Sequence, residues 1–206
     1  MITMDLRKQY KHLYQPSARK FSVVDVPPMK FLMIDGAGNP NTSQAYRDAL
    51  EALYGLSYTL KFGVKLGKYG KKKIDYPVMP LEGLWWMDDM REFSPDRKDE
   101  WKWTAMIMQP DCITPELVKL ARADLIEKKN PAAASKIRFE AFHEGLSAQI
   151  MYFGPYADEG PTIQRLHDFI HESAHQLRGK HHEIYLGNPR RTAPEKLKTV
   201  IRQPLQ

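Results

Sequence analysis

The chain has a single cysteine, no long apolar run and no stripe of basic residues, and each absence excludes a class of protein. Cys112 alone cannot form an internal disulfide framework or a zinc cluster of several cysteines. No apolar run approaches the roughly 20 residues that a membrane-spanning helix needs. The polar start, MITMDLRKQYKHLY, lacks the apolar stretch of a signal peptide. We therefore expect a cytoplasmic protein with no membrane partner.

The charge of the chain leaves a nucleic-acid partner open but does not favour one. The net charge of +6 is compatible with contact to a phosphate backbone. The basic residues are scattered, however, no predicted helix collects them on one face, and no DNA-binding motif is present. A composition of 42% hydrophobic and 27% charged residues is typical of a globular chain. We interpret the positive charge as a solvated basic surface.

The order of predicted elements is repeated along the chain. Residues 1–20 form an N-terminal arm, and residues 21–206 form one domain. Its first half reads strand, helix, strand, strand, with strands in VVDVPPMKFLMIDGAG, KKKIDYPVMPLEGLWWM and EWKWTAMIMQP. A helix that begins at Thr114 and Pro115 then leads to the second half.

The second half repeats this order. LSAQIMYFGPY is a strand, PTIQRLHDFIHESAHQL is a helix, and HHEIYLGN and KLKTVIRQPL are two more strands. The predicted inward face of the helix consists of Ile163, Leu166, Ile170, Ala174 and Leu177. We predict an α+β fold from a duplicated strand-helix-strand-strand module, with pseudo-twofold symmetry and one antiparallel sheet. Residues 29–109 and 145–205 should superpose by a rotation near 180°.

A zinc-peptidase pattern, H-E-x-x-H, occupies residues 171–175. On a helix, His171 and His175 would share one face, Glu172 could polarise a metal-bound water, and His181 could supply a third ligand. Two observations oppose this interpretation. The apolar stripe through residues 170 and 174 lies away from His175, and Arg178 stands where the longer pattern requires glycine. We predict a scaffold helix, no bound metal and no cofactor.

The strand HHEIYL contains a more promising carboxylate. Side chains alternate along a strand, so Glu183 and Tyr185 share one face while Ile184 and Leu186 share the other. The aliphatic pair suits a helix-covered core, and we expect Glu183 and Tyr185 on the open face of the sheet. An exposed sheet face also tolerates these two residues without any function, so the strand alone leaves both interpretations open.

Aromatic residues on the other strands favour a ligand site beside Glu183. Rings around one carboxylate suit a flat apolar or cationic ligand, through contact area, cation–π attraction and charge complementarity. Burial of Glu183 would raise its pKa and fit it for proton transfer. The candidate catalytic residues are Glu183 and Tyr185, and the candidate ligand-binding residues are these two with Trp85, Trp86, Trp103, Met106, Tyr152 and Phe153.

Two segments, PLEGLWW and HHEIYLGNPRRTAPEKLKTVIRQPL, together with the duplicated order of elements, resemble the GyrI-like small-molecule-binding family in its stand-alone form. The resemblance covers residues 20–206. It implies a pseudo-twofold fold with a central cleft between the two helices, lined by aromatics around an acid that Glu183 matches. Many relatives are effector domains of multidrug-sensing transcription regulators. The first 20 residues of this chain are too few for their DNA-binding domain.

Some stand-alone relatives hydrolyse cyclopropane-bearing DNA alkylators of the yatakemycin type, as cyclopropanoid cyclopropyl hydrolases. If that activity carries over, Glu183 holds or activates water and Tyr185 donates a hydrogen bond as ring opening builds charge. Two hypotheses follow. The protein is an enzyme that detoxifies strained electrophiles, or it is a module that sequesters or senses drugs without turnover. In both cases the partner is a hydrophobic or aromatic small molecule.

Overall fold

The computed structural model describes residues 1–90 and 93–206. In that part of the chain the helices are Leu6–Gln9 (α1), Lys11–Tyr14 (α2), Gln44–Lys65 (α3), Pro115–Lys128 (α4) and Gly160–Glu172 (α5). The strands are Ile2–Thr3 (β1), Ser22–Val26 (β2), Met29–Ala37 (β3), Ile74–Asp75 (β4), Leu81–Trp86 (β5), Lys102–Gln109 (β6), Arg138–Phe142 (β7), Gly145–Phe153 (β8), His181–Tyr185 (β9) and Lys198–Pro204 (β10). Short 3-10 turns lie at 95–100, 134–136, 156–158 and 194–196. None of the helices described is long and apolar enough to cross a membrane.

Eight strands form one antiparallel sheet in the order β2-β8-β10-β9-β5-β6-β3-β7. The modules β3-α3-β5-β6 and β8-α5-β9-β10 meet where β5 pairs with β9. Equivalent strands therefore stand at equal distances from this central pair, and the predicted α+β fold with pseudo-twofold symmetry is confirmed.

The outer strands exchange between the two halves, which the sequence did not reveal. β2 precedes the first module but pairs with β8 of the second. β7 precedes the second module but pairs with β3 of the first. Residues 138–142 had not been predicted as a strand at all. The exchange ties the two modules together at both edges of the sheet.

The long helices start where local chemistry favours it, but α5 ends early. Ser43 caps α3 by accepting a hydrogen bond from the Tyr46 amide, and Thr114 caps α4 in the same way. α5 ends at Glu172, and Ala174 adopts a left-handed φ of 60°. The prediction that Ala174 and Leu177 lie on the inward face of this helix is therefore wrong, and both are exposed.

Helices α3 and α5 cover the same face of the sheet, and Glu183 lies on that face. Gln109 on β6 donates to Ser57 on α3, which identifies the face beneath α3. Gln109 shares this face with Ala105 because alternate residues of a strand point the same way. Ala105 pairs across the sheet with Gly83, which pairs with Glu183. The prediction that Glu183 and Tyr185 occupy an open face is therefore wrong.

The N-terminal arm covers part of the opposite face, so β9 is buried on both faces of the sheet. Leu6, Leu13 and Tyr14 of the arm belong to the same apolar cluster as the sheet. Ile184, whose side chain points away from the helices, is fully buried on this second face. When both faces of a strand are buried, hydrophobic alternation cannot identify which face the helices cover. This is why the orientation of β9 was predicted wrongly.

A hydrogen-bonded network of charged residues lies between the arm and the sheet. Tyr14 donates to Glu82 at 2.6 Å, and His182 Nε2 lies 3.0 Å from the other oxygen of Glu82. His182 Nδ1 is 2.9 Å from Glu144, which also accepts from Arg202 at 3.0 Å. We call these five residues the buried network, since each is at most 2% exposed. Charges so deeply buried are tolerated only when they are paired.

The buried network holds His182 as an imidazolium. Burial lowers its pKa, but the charges and hydrogen bonds of Glu144 and Glu82 outweigh burial and raise the pKa from 6.5 to about 9. Burial likewise raises the pKa of Glu144, but His182 and Arg202 lower it to about 2. Both ring nitrogens of His182 therefore donate, one to each carboxylate.

We expect the protein to lose stability as the pH rises from 6.5 to about 9. The folded state raises the pKa of His182 across that interval, so the stabilisation is complete below 6.5 and is lost as the pH passes through about 9. The loss should be on the order of 3 kcal/mol. Urea unfolding across this range measures it. The variant His182→Gln isolates the imidazole from other titrating groups, and an unchanged pH dependence in that variant would contradict the assignment.

Candidate functional site

Glu183 lies at the centre of the sheet, on the face between α3 and α5. One carboxylate oxygen accepts a hydrogen bond of 2.6 Å from the Tyr185 hydroxyl, and the other lies 3.1 Å from His181 Nε2. Glu183 is 8% exposed. Its cross-strand neighbour is Gly83, where a Cβ would lie 2.8 Å from the indole nitrogen of Trp85. Glycine therefore lets the Trp85 ring fold across β5 towards the carboxylate.

Aromatic rings surround this carboxylate. The Trp85 indole donates to the Tyr185 hydroxyl at 3.1 Å, and Tyr156 meets the Tyr185 ring edge-on with centroids 5.2 Å apart. Tyr46, on the first turn of α3, packs against Trp85 at 5.7 Å. We call the region bounded by Tyr46, Trp85, Tyr156, Glu183 and Tyr185 the cleft. It presents apolar rings around one buried charge.

The protonation states in the cleft follow from these contacts. Burial raises the pKa of Glu183, but hydrogen bonds and charge from His181, then Tyr185 and Lys98, lower it overall. Glu183 is therefore ionised at neutral pH. The expectation that burial alone would raise its pKa is wrong, because the partners of the carboxylate outweigh desolvation. Burial, and then the charge of Glu183, raise the pKa of Tyr185 far above its usual value, so this hydroxyl remains a donor.

A second carboxyl lies in the cleft that the sequence did not single out. Glu159 follows the turn at Tyr156–Asp158, directly before α5, and is 3% exposed. Its Oε1 has no hydrogen-bond partner among the described residues. Burial, followed by repulsion from Glu183, raises its pKa to about 9. A glutamate before a helix normally indicates an exposed side chain that interacts favourably with the helix dipole, so only the three-dimensional structure reveals its burial.

Several predicted ligand-binding residues lie on the face of the sheet that bears Glu183. Trp85 is in the cleft, and Tyr152 lies in the same cross-strand row as Tyr185, through Thr199. The Tyr152 hydroxyl donates to the Pro155 carbonyl at 3.1 Å. Trp103 lies deeper on this face. It is the cross-strand partner of Trp85 and packs edge-on against the ring of Tyr46 at 5.0 Å, so it supports two of the rings that bound the cleft.

The structure places three of the predicted residues, Trp86, Met106 and Phe153, on the opposite face. Successive side chains of a strand point to opposite faces, and each of these residues is an odd number of positions from a residue on the Glu183 face. Its side chain therefore points away from Glu183. Trp86 has the Lys180 ammonium 3.3 Å from its ring centroid, Met106 is fully buried, and Phe153 is 50% exposed. We therefore do not include them in the cleft.

The zinc pattern lacks its helical geometry. α5 ends at Glu172, so His171 and His175 do not share one helical face. His181, the candidate third ligand, contacts Glu183 instead. Within residues 1–90 and 93–206, no group of three His, Cys, Asp or Glu side chains is placed to hold a metal ion. Metal independence remains a prediction, to be checked by elemental analysis of the purified protein.

Comparison with known proteins identifies the type of domain that this fold and cleft form. A family model described as the GyrI-like small molecule binding domain matches residues 19–206. An uncharacterized conserved protein from Listeria innocua is 35% identical, with a TM-score of 0.89, and the match covers 98% of this chain and 100% of that chain. No curated protein matches the chain.

Two further solved structures, each described as a hydrolase from Listeria innocua, are 34% identical to this chain. Their TM-scores are 0.84 and 0.87, and the matches cover 98% and 99% of this chain and 100% of those chains. The architecture is thus that of a small-molecule-binding domain. The chain belongs to the GyrI-like family, as its C-terminal sequence indicated.

Proposed function

We propose that this protein is a hydrolase that opens strained, electrophilic rings of the cyclopropane type, and that it thereby detoxifies DNA-alkylating compounds. The observation that carries the proposal is an ionised carboxylate, Glu183, buried among aromatic rings and held on both oxygens by Tyr185 and His181. The description of two relatives as hydrolases, at 34% identity over nearly the whole chain, supports it.

The aromatic rings of the cleft account for substrate binding. Cyclopropane-bearing alkylators are flat and largely apolar, and burial between the rings of Tyr46, Trp85 and Tyr156 would remove their surface from water. The charge of Glu183 adds attraction for a substrate with an electron-poor edge. Binding of this kind orients the strained ring over the carboxylate, and a fixed orientation is itself a large part of catalysis.

Glu183 acts as the general base in the proposed reaction. A water molecule attacks a ring carbon, and Glu183 takes a proton from this water as the new carbon–oxygen bond forms. The strained carbon–carbon bond breaks, and its electron pair moves to the conjugated carbonyl of the substrate. Tyr185 orients Glu183 through its hydrogen bond of 2.6 Å. As Glu183 takes the proton of the water, the Tyr185 hydroxyl moves its single donated hydrogen bond from Glu183 to the negative charge that builds up.

Product counting separates this function from drug sequestration. With a twentyfold excess of a cyclopropane-bearing alkylator, a catalyst should form many equivalents of the ring-opened alcohol, whereas a sequestering protein should protect one equivalent. Chromatography of the products over time measures the yield, and ethidium, an aromatic cation without a strained ring, tests binding alone. Tight binding of the alkylator with no product beyond the buffer control would contradict hydrolysis and favour a binding module.

A further inference from the structure

A buried acid with one unpaired carboxyl oxygen is the most unusual feature of the cleft. Glu159 stands at the start of α5, and its backbone carbonyl accepts from the amides of Thr162 and Ile163. Its side chain makes no capping hydrogen bond. It is instead buried, and its Oε1 is unpaired among the residues that the structure describes. An unpaired polar atom in the interior costs stability, and such atoms concentrate at functional sites.

The surroundings of Glu159 connect it to the reacting carboxylate. It follows the turn that carries Tyr156, whose ring touches the Tyr185 ring, and Tyr185 in turn donates to Glu183. Elements from every side of the cleft place charged or titratable groups near it. The groups that interact electrostatically with Glu159 are Glu183 and Tyr185 of β9, Tyr152 of β8, Tyr156 of the preceding turn and Lys98 of the turn at 95–100. A hydrogen bond with Thr199 of β10 opposes the rise in the pKa of Glu159 but does not outweigh burial.

Two carboxyl groups in one buried site cannot both carry a charge without repulsion. Glu183 has two hydrogen-bond partners and is the one that ionises. Burial and the charge of Glu183 raise the pKa of Glu159 to about 9, so Glu159 stays protonated at neutral pH. The cleft therefore contains one carboxylate and one carboxylic acid at neutral pH. When the surroundings of two carboxyl groups move their pKa values apart in this way, the group that stays ionised can act as the base and the group that stays protonated can act as the acid.

We propose that Glu159 is the general acid of the ring-opening reaction, a role that rests on the proposed function of Glu183. Glu183 removes a proton from the attacking water, the oxygen of this water bonds to the ring carbon, and the carbon–carbon bond of the ring breaks. The electron pair moves to the conjugated carbonyl, whose oxygen receives the proton of Glu159. The sum is addition of one water, and proton return from Glu183 to Glu159 restores the resting state.

The variant Glu159→Gln tests this role, because glutamine keeps the size of the side chain but cannot release a proton. With a cyclopropyl ketone, kcat should fall about 10²–10⁴-fold while KM changes little. With a cyclopropane activated by two nitriles, whose carbanion needs less proton donation, the loss should be smaller. Asp158→Asn, an exposed neighbour, is the matched control and should behave as the parent. Equal kcat for Glu159→Gln and the parent on the ketone would overturn the proposal.

Two measurements on the parent protein do not depend on whether the variant folds. The kcat of the parent should decline on the alkaline side near pH 9, where Glu159 loses its proton, and infrared spectra at pH 7 should show the carbonyl band of a protonated, buried carboxylic acid. Turnover without this band and without the decline would overturn the role of Glu159 but leave the base role of Glu183 intact. Absence of any turnover by the parent would overturn the proposed function itself, and the role of Glu159 with it.

Discussion

Replacement of Glu183 by glutamine is expected to lower turnover of a cyclopropane substrate about 10²–10⁴-fold, the usual contribution of a positioned base. Glutamine fills the same space between His181 and Tyr185 but carries no charge and accepts no proton. Neutral aromatic ligands should still bind, since the rings of the cleft are unchanged. The affinity for an aromatic cation should fall by about 1–3 kcal/mol, the range for loss of a charged hydrogen-bond partner. Steady-state kinetics and fluorescence titration measure the two effects.

The matched control is Glu172→Gln at the end of α5. Glu172 is exposed, and the zinc interpretation would make it essential, whereas a metal-free cleft makes it nearly neutral. Both variants must have the same thermal unfolding midpoint as the parent before their rates are compared. An inactive Glu172→Gln beside a fully active Glu183→Gln would place the chemistry at H-E-x-x-H and contradict the assignment.

Replacement of Arg202 by methionine is expected to destabilise the protein by about 3–5 kcal/mol, because it leaves a buried carboxylate without its partner. Arg202 donates to Glu144, to Gln149 and to the carbonyl of Leu13. Loss of this one side chain therefore disrupts both the buried network and the attachment of the arm. Since domains are stable by only about 5–15 kcal/mol, the effect should be large in a urea titration followed by tryptophan fluorescence.

Arg190→Met is the control for this prediction. Arg190 is exposed on the loop after β9, and its replacement should change stability by less than about 0.5 kcal/mol. The arm should also become more susceptible to proteolysis in Arg202→Met, because the contact with the Leu13 carbonyl is lost. A loss below about 1 kcal/mol for Arg202→Met would show that the buried network contributes little to stability.

The order of elements was readable from the sequence because each element carries its own periodic signal. The face of Leu53, Leu60 and Val64 defines α3 on its own, and the Thr114-Pro115 start defines α4. The exchange of β2 and β7 was not readable, since their partners lie more than 100 residues away along the chain. Pairing between strands so far apart in the sequence depends on the arrangement of the whole sheet. The alternation of polar and apolar residues within a strand of five residues does not identify the strand with which it pairs.

The candidate site was predicted in part, and the reason for each outcome is physical. Glu183, Tyr185 and Trp85 are adjacent, because their strands pair at the centre of the sheet. Trp86 and Met106 were grouped with them by residue type, although alternation places both on the other face. Glu159 was missed because a glutamate beside a helix start has the same sequence signal whether its side chain turns inward or outward.

The location of a bound ligand tests the central claim most directly, because the sheet has a cavity away from Glu183. This cavity, of about 330 Å³, lies on the opposite face, and its lining includes Trp86, Lys180 and Arg138. We expect a crystal structure with a slowly hydrolysed cyclopropane analogue to show the compound against Trp85 and Tyr46, with its strained ring over Glu183. A compound bound only beside Trp86 and Lys180, with the cleft unchanged, would contradict the account.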